Sequence, residues 1–450
     1  MKPGRAATII GGGLAGSEAA WQLARRGFAV TVREMRPGVS TPAHQTGDFA
    51  ELVCSNSLKS EAPGSAPFLL KQELRRLGSL LLEVAEGCRV PAGQALAVDR
   101  VAFSRGVTAA LAADPRIRIE RVEAAAIPPE RPLILATGPL TSDALAEDIR
   151  RVTGDDHLYF YDAISPIVAA DSVDTTIAFS ASRYGKGGDD YLNCPFTPDE
   201  YRTFYEALAG ADRYPLREFE RTPFFEGCLP IEELARRGVD TLRFGPMKPV
   251  GLIDPRIGRL PYAAVQLRRE NLLADAYNLV GFQNHLRFGE QERVLRLIPG
   301  LAGARFLRFG QIHRNTYINA PAALSAHLEL RNAPGVFVAG QLCGLEGYVE
   351  AIATGMLAAL QAAHRLEGRP PLIFPRGTAL GSLQHALAHA DPANYQPVNM
   401  PLALLPPVDE AFRRRYRSKS DRHRRQVDDA LALFDEFIRD LPDVAAAGGD

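Results

Sequence analysis

The run Gly11-Gly12-Gly13-Leu14-Ala15-Gly16 constrains this chain more than any other segment. It follows directly on the short apolar run Ala6 to Ile10, suited to a strand buried on both faces, and leads into helical patterning from Leu14 to Arg26. Gly27 falls where a left-handed helix C-cap is expected, and the second apolar run, Phe28 to Val32, leads to Glu34, 18 residues past Gly16. A GxGxxG pattern alone is a weak signal. Set between strand and helix, with an acidic residue after the next strand, it specifies a Rossmann-like dinucleotide fold. Backbone amides at Gly11, Gly12, Gly13, Leu14, Ala15 and Gly16 approach a pyrophosphate, and Glu34 holds a ribose diol.

Two later segments read as the same unit resuming. Pro132 to Ala136 is a buried-strand run closed by Thr137-Gly138-Pro139. Gly335 to Gly340 is another short strand ending in glycine, followed by Gly344, Glu346, Gly347 and a long apolar helix from about Glu350 to Leu366. A turn and helix N-terminus at that place aim further amides at a cofactor ring and stabilise negative charge on it. Between these segments the chain is rich in Tyr, Phe, Arg and Pro and carries no second fingerprint. The expectation is an α/β protein: a Rossmann-like domain over 1–142 and 331–450, interrupted at 143–330 by an inserted α+β domain. One tightly held dinucleotide is expected, and a nicotinamide reductant would bind only transiently. Tyr184-Gly185-Lys186-Gly187-Gly188 lacks the spacing and the Ser or Thr of an ATP-binding phosphate loop.

Composition excludes several classes. The 450 residues are 46% hydrophobic and 23% charged, ordinary for a globular chain of two or three domains. No apolar stretch reaches the roughly 18 residues of a membrane span, and Met1-Lys2-Pro3-Gly4-Arg5 is unlike a signal peptide, so a cytoplasmic protein is expected. Five cysteines without CxxC spacing, and no histidine pair at ligand spacing, argue against a disulfide framework or a metal site.

Chemistry is therefore sought in single residues. Cys54, in Phe49-Ala-Glu-Leu-Val-Cys-Ser-Asn-Ser57, sits among small polar neighbours that suit an accessible thiol. Cys228 lies just before a helical Ile231-Glu-Glu-Leu234, and a thiol near a helix N-terminus is favoured as thiolate. Taken alone, either fits a structural role better, free Cys being among the types most commonly buried. Cys343 shares the late Gly-rich turn, His44 lies ten residues before Cys54, and His313 occupies a polar patch. The net charge is −1, yet Arg413, Arg414, Arg415, Arg417, Lys419, Arg422, Arg424 and Arg425 cluster with Phe412, Tyr416 and His423. Such a run fits either a polyanion footprint or a solvated helix face balanced by the acidic stretch beyond it.

At this point the chain resembles a known family. Ile10-Gly-Gly-Gly-Leu-Ala-Gly-Ser-Glu18, Glu34-Met-Arg-Pro37, Thr41-Pro-Ala-His44, Phe49-Ala-Glu-Leu-Val-Cys-Ser-Asn-Ser-Leu58, Ser182-Arg-Tyr-Gly-Lys-Gly-Gly188, Glu226-Gly-Cys-Leu-Pro-Ile-Glu232, Gly245-Pro-Met-Lys-Pro-Val-Gly-Leu252, His313-Arg-Asn-Thr316 and Glu346-Gly-Tyr348 occur in this order. Together they resemble the folate- and FAD-dependent tRNA (uracil-5-)-methyltransferases, TrmFO, over nearly the whole length, with a departure after Gln396-Pro-Val-Asn399. The resemblance implies a GidA-like flavoprotein that methylates the T-loop uridine of tRNA at C5. Methylenetetrahydrofolate is the carbon donor, reduced FAD the hydride donor and NADPH or NADH the reductant. It adds Arg36, Gly340, Glu346, Gly347 and Tyr348 to the cofactor residues and assigns two cysteines to catalysis. Cys54 is read as the C6 nucleophile and Cys228 as the acid or base at C5, with the exchange of roles open. The same chemistry on a ribosomal RNA uridine, or a non-catalytic flavin- and RNA-binding protein, are the alternatives.

Overall fold

The computed structural model describes residues 5–41, 43–154, 158–185, 188–214 and 229–441. Cys228, Lys186 and the side chain of His313 lie outside the described residues.

Strand Ala6–Ile10 is buried from Ala7 onward on both faces, as its unbroken apolar run requires. It forms the middle of a five-stranded parallel sheet ordered 336–338, 133–135, 6–10, 29–33, 117–120. The register aligns Ile10 with Arg33 on one side and with Leu135 on the other. Strand Val336–Val338 pairs with Leu133–Leu135, so the late segment completes the sheet begun by the first residues of the chain. The chain passes from strand Ala6–Ile10 to its neighbour Ala29–Arg33 on one side and returns later to Leu133–Leu135 on the other, and a ligand crevice opens at the carboxyl ends of strands where the order reverses.

Helix Leu14–Ala24 covers this sheet and is buried along nearly its whole length. Its entry is set by contact with no side chain between: a Cβ on Gly16 would lie 1.9 Å from the Gly11 carbonyl oxygen. Helix Tyr348–Leu366 crosses the same helix, and a Cβ on Gly355 would meet the Ala15 carbonyl oxygen at 2.2 Å. These glycines allow backbone to pack on backbone and fix where both helix N-termini point. Gly27 has φ +80°, the left-handed stop expected after the first helix.

A second hydrophobic core lies within the chain from Val168 to Ala304. It is built on a six-stranded antiparallel sheet ordered 179–180, 191–196, 263–269, 276–279, 167–169, 306–308. Helix Pro198–Ala209 packs Tyr201, Phe204 and Leu208 against it and begins with a capping box from Thr197 and Glu200. The antiparallel ribbon of Leu158–Ala163 with Ile312–Tyr317 joins this unit to the first. Leu145 and Ile149 of helix Asp143–Thr153, and Tyr317 to Leu330, pack in the first core.

The last elements return to the first unit. Helix Ala379–His389 is capped by buried Glu73, which accepts from the amides of Ala379 (2.7 Å) and Leu380 (2.9 Å). Helix Lys419–Arg439 buries Val427, Ala430 and Phe434 and pairs Asp435 with Arg76. Its basic first turns stay exposed beside the short helix Glu410–Arg415. Among the described residues no helix is long and apolar enough to cross a membrane.

Two substitutions separate packing from ligand contact. Gly16→Ala should destabilise the protein by about 2–3 kcal/mol, the scale of overpacking a close contact. Gly13→Ala, where a Cβ meets nothing within 4 Å, should stay within about 0.5 kcal/mol of the parent. Urea unfolding midpoints of the two variants test this.

Candidate active site

The carboxyl ends of the central strands surround a cavity of about 350 Å³. Its walls come from Ile10, Gly11, Gly13 to Ala15, Arg33 to Arg36, Ala136 to Ser142, Gly340 and Gln341, Glu346 to Tyr348, and Val53 to Ser55. Of the cofactor residues expected from sequence, Gly11, Gly13, Leu14, Ala15, Glu34, Arg36, Gly340, Glu346, Gly347 and Tyr348 line it, whereas Gly12 and Gly16 do not. Gly12 lies under the Phe49 ring and Gly16 against the Gly11 carbonyl, so these two shape the turn from behind.

Two helix N-termini meet at the cavity, and neither has a side-chain cap: Gly13 precedes helix Leu14–Ala24 and Gly347 precedes helix Tyr348–Leu366. Their first-turn amides are left for a ligand, and both helix dipoles present positive charge to it. Glu34 lines the cavity beside the first of these N-termini. Its Oε2 accepts from the Gly12 amide (2.6 Å) and its Oε1 from the Arg36 amide and Nε (2.9 Å each). Burial pushes its pKa up, but Arg36 and these amides outweigh burial and hold it below the usual carboxylate range. Arg36 also donates to Glu51 at 3.0 Å, so its guanidinium is shared between two carboxylates. Uncapped amides and an ionised carboxylate in one cavity suit the diphosphate and ribose of a dinucleotide such as FAD.

Cys54 lies on the wall of this cavity, half-buried. The Tyr348 hydroxyl accepts from the amides of Cys54 (2.8 Å) and Ser55 (3.0 Å), tying the cysteine loop to the helix entering at Gly347. From below, Arg100 Nη1 donates to the Leu52 carbonyl (2.7 Å), while its Nε and Nη2 grip Glu270 at 2.8 and 3.1 Å. From the inserted unit, Arg268 Nη2 donates to Ser55 Oγ (2.8 Å), and Asn56 Nδ2 donates to the Arg269 carbonyl (2.8 Å). The charges of Arg100, Arg268 and Arg308 all act on Cys54. Sequence reasoning missed Arg100, Arg268, Glu270 and Arg308. The available signal was Arg268 and Glu270 at the end of an otherwise apolar strand.

The other described thiols differ in kind. Burial pushes Cys88 to about 11, and Cys194 and Cys343 to about 12. His44 lines the cavity with Nδ1 bonded to Thr41 Oγ1 (2.6 Å), and burial and then Arg36 push its pKa down to about 4. Downstream of Cys228, the Ile231 amide opening helix Ile231–Arg236 donates to the Gln283 carbonyl (2.8 Å), and Gln283 lines the cavity.

The basic cluster stands on the exposed ends of the two last helices. Arg415, Arg417, Arg424 and Arg425 surround a shallow surface cavity with Tyr416. Arg414 pairs with Glu410 and Arg425 with Asp429, while Arg422 donates to the carbonyls of Tyr416 and Arg417. Arg413, Arg415, Arg417, Lys419 and Arg424 have no carboxylate partner among the described residues. Among those residues, no group of three or more His, Cys, Asp or Glu is placed to hold a metal ion.

The parallel sheet, the glycine turn and the cavity at its switch point define a dinucleotide-binding protein of the GidA class, and the family model for glucose inhibited division protein A matches residues 6–370. The fold is similar to that of Aquifex aeolicus GidA, with a TM-score of 0.67 at 16% identity over 97% of this chain and 73% of that one. Closer in sequence are two proteins named methylenetetrahydrofolate--tRNA-(uracil-5-)-methyltransferase TrmFO. That of Koribacter versatilis is 59% identical over 96% of this chain and 97% of its own. That of Solibacter usitatus is 60% identical over 95% and 98%. The chain belongs to the TrmFO family.

Glu34→Gln should cost about 3 kcal/mol of stability, because it leaves buried Arg36 with one carboxylate instead of two. The sign follows from the lowered pKa. Glu34 stabilises the fold fully above its ordinary value of 4.5 and loses that contribution as pH falls through its lower folded value. The gap between parent and variant in thermal melts should therefore be constant above about pH 5 and narrow below it.

Proposed function

We propose that this protein methylates a tRNA uracil at C5 with the one-carbon unit of methylenetetrahydrofolate, the T-loop uridine being its target. The observation that carries the reading is Cys54 on the wall of the dinucleotide cavity, among three guanidiniums. Family membership and the names of the relatives support the reaction class. When bound at the cavity, FAD in its reduced form supplies the hydride that turns the transferred methylene into a methyl, and NADPH or NADH regenerates that form.

The chain's own residues have a defined task. Uracil C5 is a poor nucleophile until a thiolate adds at C6, which forms a sulfur–carbon bond and moves the ring electron pair toward C5 and O4. Cys54 is assigned that addition. Guanidiniums beside it favour both the thiolate and the negative charge that develops on the ring. After C5 gains its carbon, a base must remove the C5 proton, and the sulfur–carbon bond then breaks. Cys228 is assigned the proton transfer. The Ile231–Gln283 hydrogen bond supports this assignment, because it ties the segment following Cys228 to the cavity wall. The target base must leave its stack to present its face, as for other enzymes acting on a base.

The exposed arginines from Arg413 to Arg425 are assigned to the RNA backbone. Their charge is largely unpaired, and Tyr416 lies among them. A cytoplasmic location agrees with an RNA substrate.

RNA containing 5-fluorouracil tests the nucleophile. Fluorine cannot leave C5 as a cation, so the protein should stay covalently attached, and Cys54→Ala should abolish the adduct seen on denaturing gels. An adduct retained in Cys54→Ala but lost in Cys228→Ala reverses the two roles. For the RNA surface, changing Arg415, Arg417, Arg424 and Arg425 together to Gln should weaken tRNA binding at least about tenfold. It should also reduce the slope of log K against log salt by about 2–3. Unchanged affinity and slope in filter binding would place the cluster on an idle surface.

A further inference from the structure

Two arginines hold the Cys54 loop, Arg100 at Leu52 and Arg268 at Ser55, and the charge of a third, Arg308, acts on it through space; of the three only Arg100 is paired with a carboxylate. Arg100 is held by Glu270 through Nε and Nη2. Arg268, on strand Ala263–Arg269, is 8% exposed, donates Nη2 to Ser55 Oγ, and has a buried Nε with no acceptor. Arg308, on strand Phe306–Arg308, donates Nη2 to the Ala43 carbonyl at 3.3 Å. Neither Arg268 nor Arg308 has a carboxylate partner among the described residues. A buried guanidinium without a counter-ion is unfavourable, and the penalty is relieved where a negative charge forms beside it.

The other ionisable groups around the loop do not supply that charge. Glu270 is taken up by Arg100 and by Asn278 Nδ2. Glu34 and Glu51 share Arg36, and their remaining negative charge is spread over the amides of Gly12, Gln45 and Thr46. Lys59 is paired with Glu350. Burial keeps the Tyr348 hydroxyl protonated, and His44 is neutral. Glu270 acts on both guanidiniums, and on Arg268 more strongly than Cys54 does, but it is a single carboxylate already gripped by Arg100; the Cys54 thiol is a further group on which the charges of Arg268 and Arg308 act.

We propose that Arg268, assisted by Arg308, holds Cys54 as a resting thiolate before any substrate arrives. Arg268 is a positioning residue in this scheme. It orients the loop through Ser55 and supplies charge through space, without touching the base. Ionisation breaks the S–H bond, leaves the electron pair on sulfur and releases the proton to solvent through the cavity. The inference deepens the reading of Cys54 as nucleophile and gives the inserted unit a direct part in activating it.

The test needs neither RNA nor folate. The FAD-containing protein is treated with iodoacetamide from about pH 5 to pH 10, the range over which protein thiols titrate. Alkylation of the Cys54 peptide is followed by mass spectrometry. The parent midpoint should lie below the ordinary thiol value of about 8.5. Arg268→Gln loses the charge and, being shorter, also the Nη2 contact to Ser55; it should raise the midpoint by about one unit, roughly a tenfold loss of thiolate near neutral pH. Arg268→Lys should stay within about 0.3 of the parent, since a nearby ammonium also favours the thiolate. An ordinary parent midpoint, an unmoved midpoint in Arg268→Gln, or an equal shift in Arg268→Lys overturns the proposal. Should Arg268→Gln fail to retain FAD, Arg308→Gln decides in its place: an upward shift supports the proposal and the parent midpoint overturns it. If Cys54→Ala still traps fluorouracil RNA, the catalytic assignment fails while the measured charge state of Cys54 stands. The two failures are thus distinguishable.

Discussion

Backbone packed on backbone at the crossing of strand Ala6–Ile10, helix Leu14–Ala24 and helix Tyr348–Leu366 is the constraint on which the site depends. A side chain at Gly16 or Gly355 would collide with a carbonyl oxygen, and the collision partners belong to rigid elements that have no room to move. The crossing brings residues more than 300 positions apart to one place, so that Gly13 and Gly347 open two uncapped helices onto one cavity. Without that approach the second helix would stand off, and Tyr348 would not reach the amides of Cys54 and Ser55. A cavity for a dinucleotide and a fixed cysteine loop are consequences of the same contact.

Charge is distributed by the same geometry. Four carboxylates near the cavity are committed to a base: Glu34 and Glu51 to Arg36, Glu270 to Arg100, Glu350 to Lys59. Such pairs add little net stability, since desolvation offsets much of the Coulomb attraction, but losing one partner is costly. Their consequence here is local. They leave the positive charge at the cysteine loop with the arginines of the inserted unit. That unit is therefore more than a cover over the dinucleotide domain: its central strand supplies Arg268 and the Arg269 carbonyl to the loop that carries Cys54.

Much of this was legible along the chain. The first strand, turn and helix, the left-handed Gly27, Glu34 after the second strand, and the return of the sheet near residue 335 are all local patterns, fixed by periodicity and by glycine's tolerance of close approach. The late helix begins at Tyr348, two residues before the expected Glu350, because Gly347 supplies its cap position. Gly12 and Gly16 do not line the cavity, whereas Gly11 and Gly13 do. A glycine that lets a ligand approach and one that lets a strand approach look alike in sequence. Arg100, Arg308 and the pair Arg268 and Glu270 were hard to read for a different reason: they lie on three separate elements, and only the placing of Arg268 and Glu270 at the end of one strand hints that charges meet there.

By itself the sequence determined the Rossmann-like fold class and the family. Those follow from residues within one strand–turn–helix unit or one contiguous motif, where a few covalent bonds set the geometry. Only the tertiary structure decided which charges reach Cys54, which are already spent on one another, and which glycines face the cavity. An electrostatic interaction acts through space and depends on burial, and neither distance nor burial is written in the order of the residues until the chain has closed on itself.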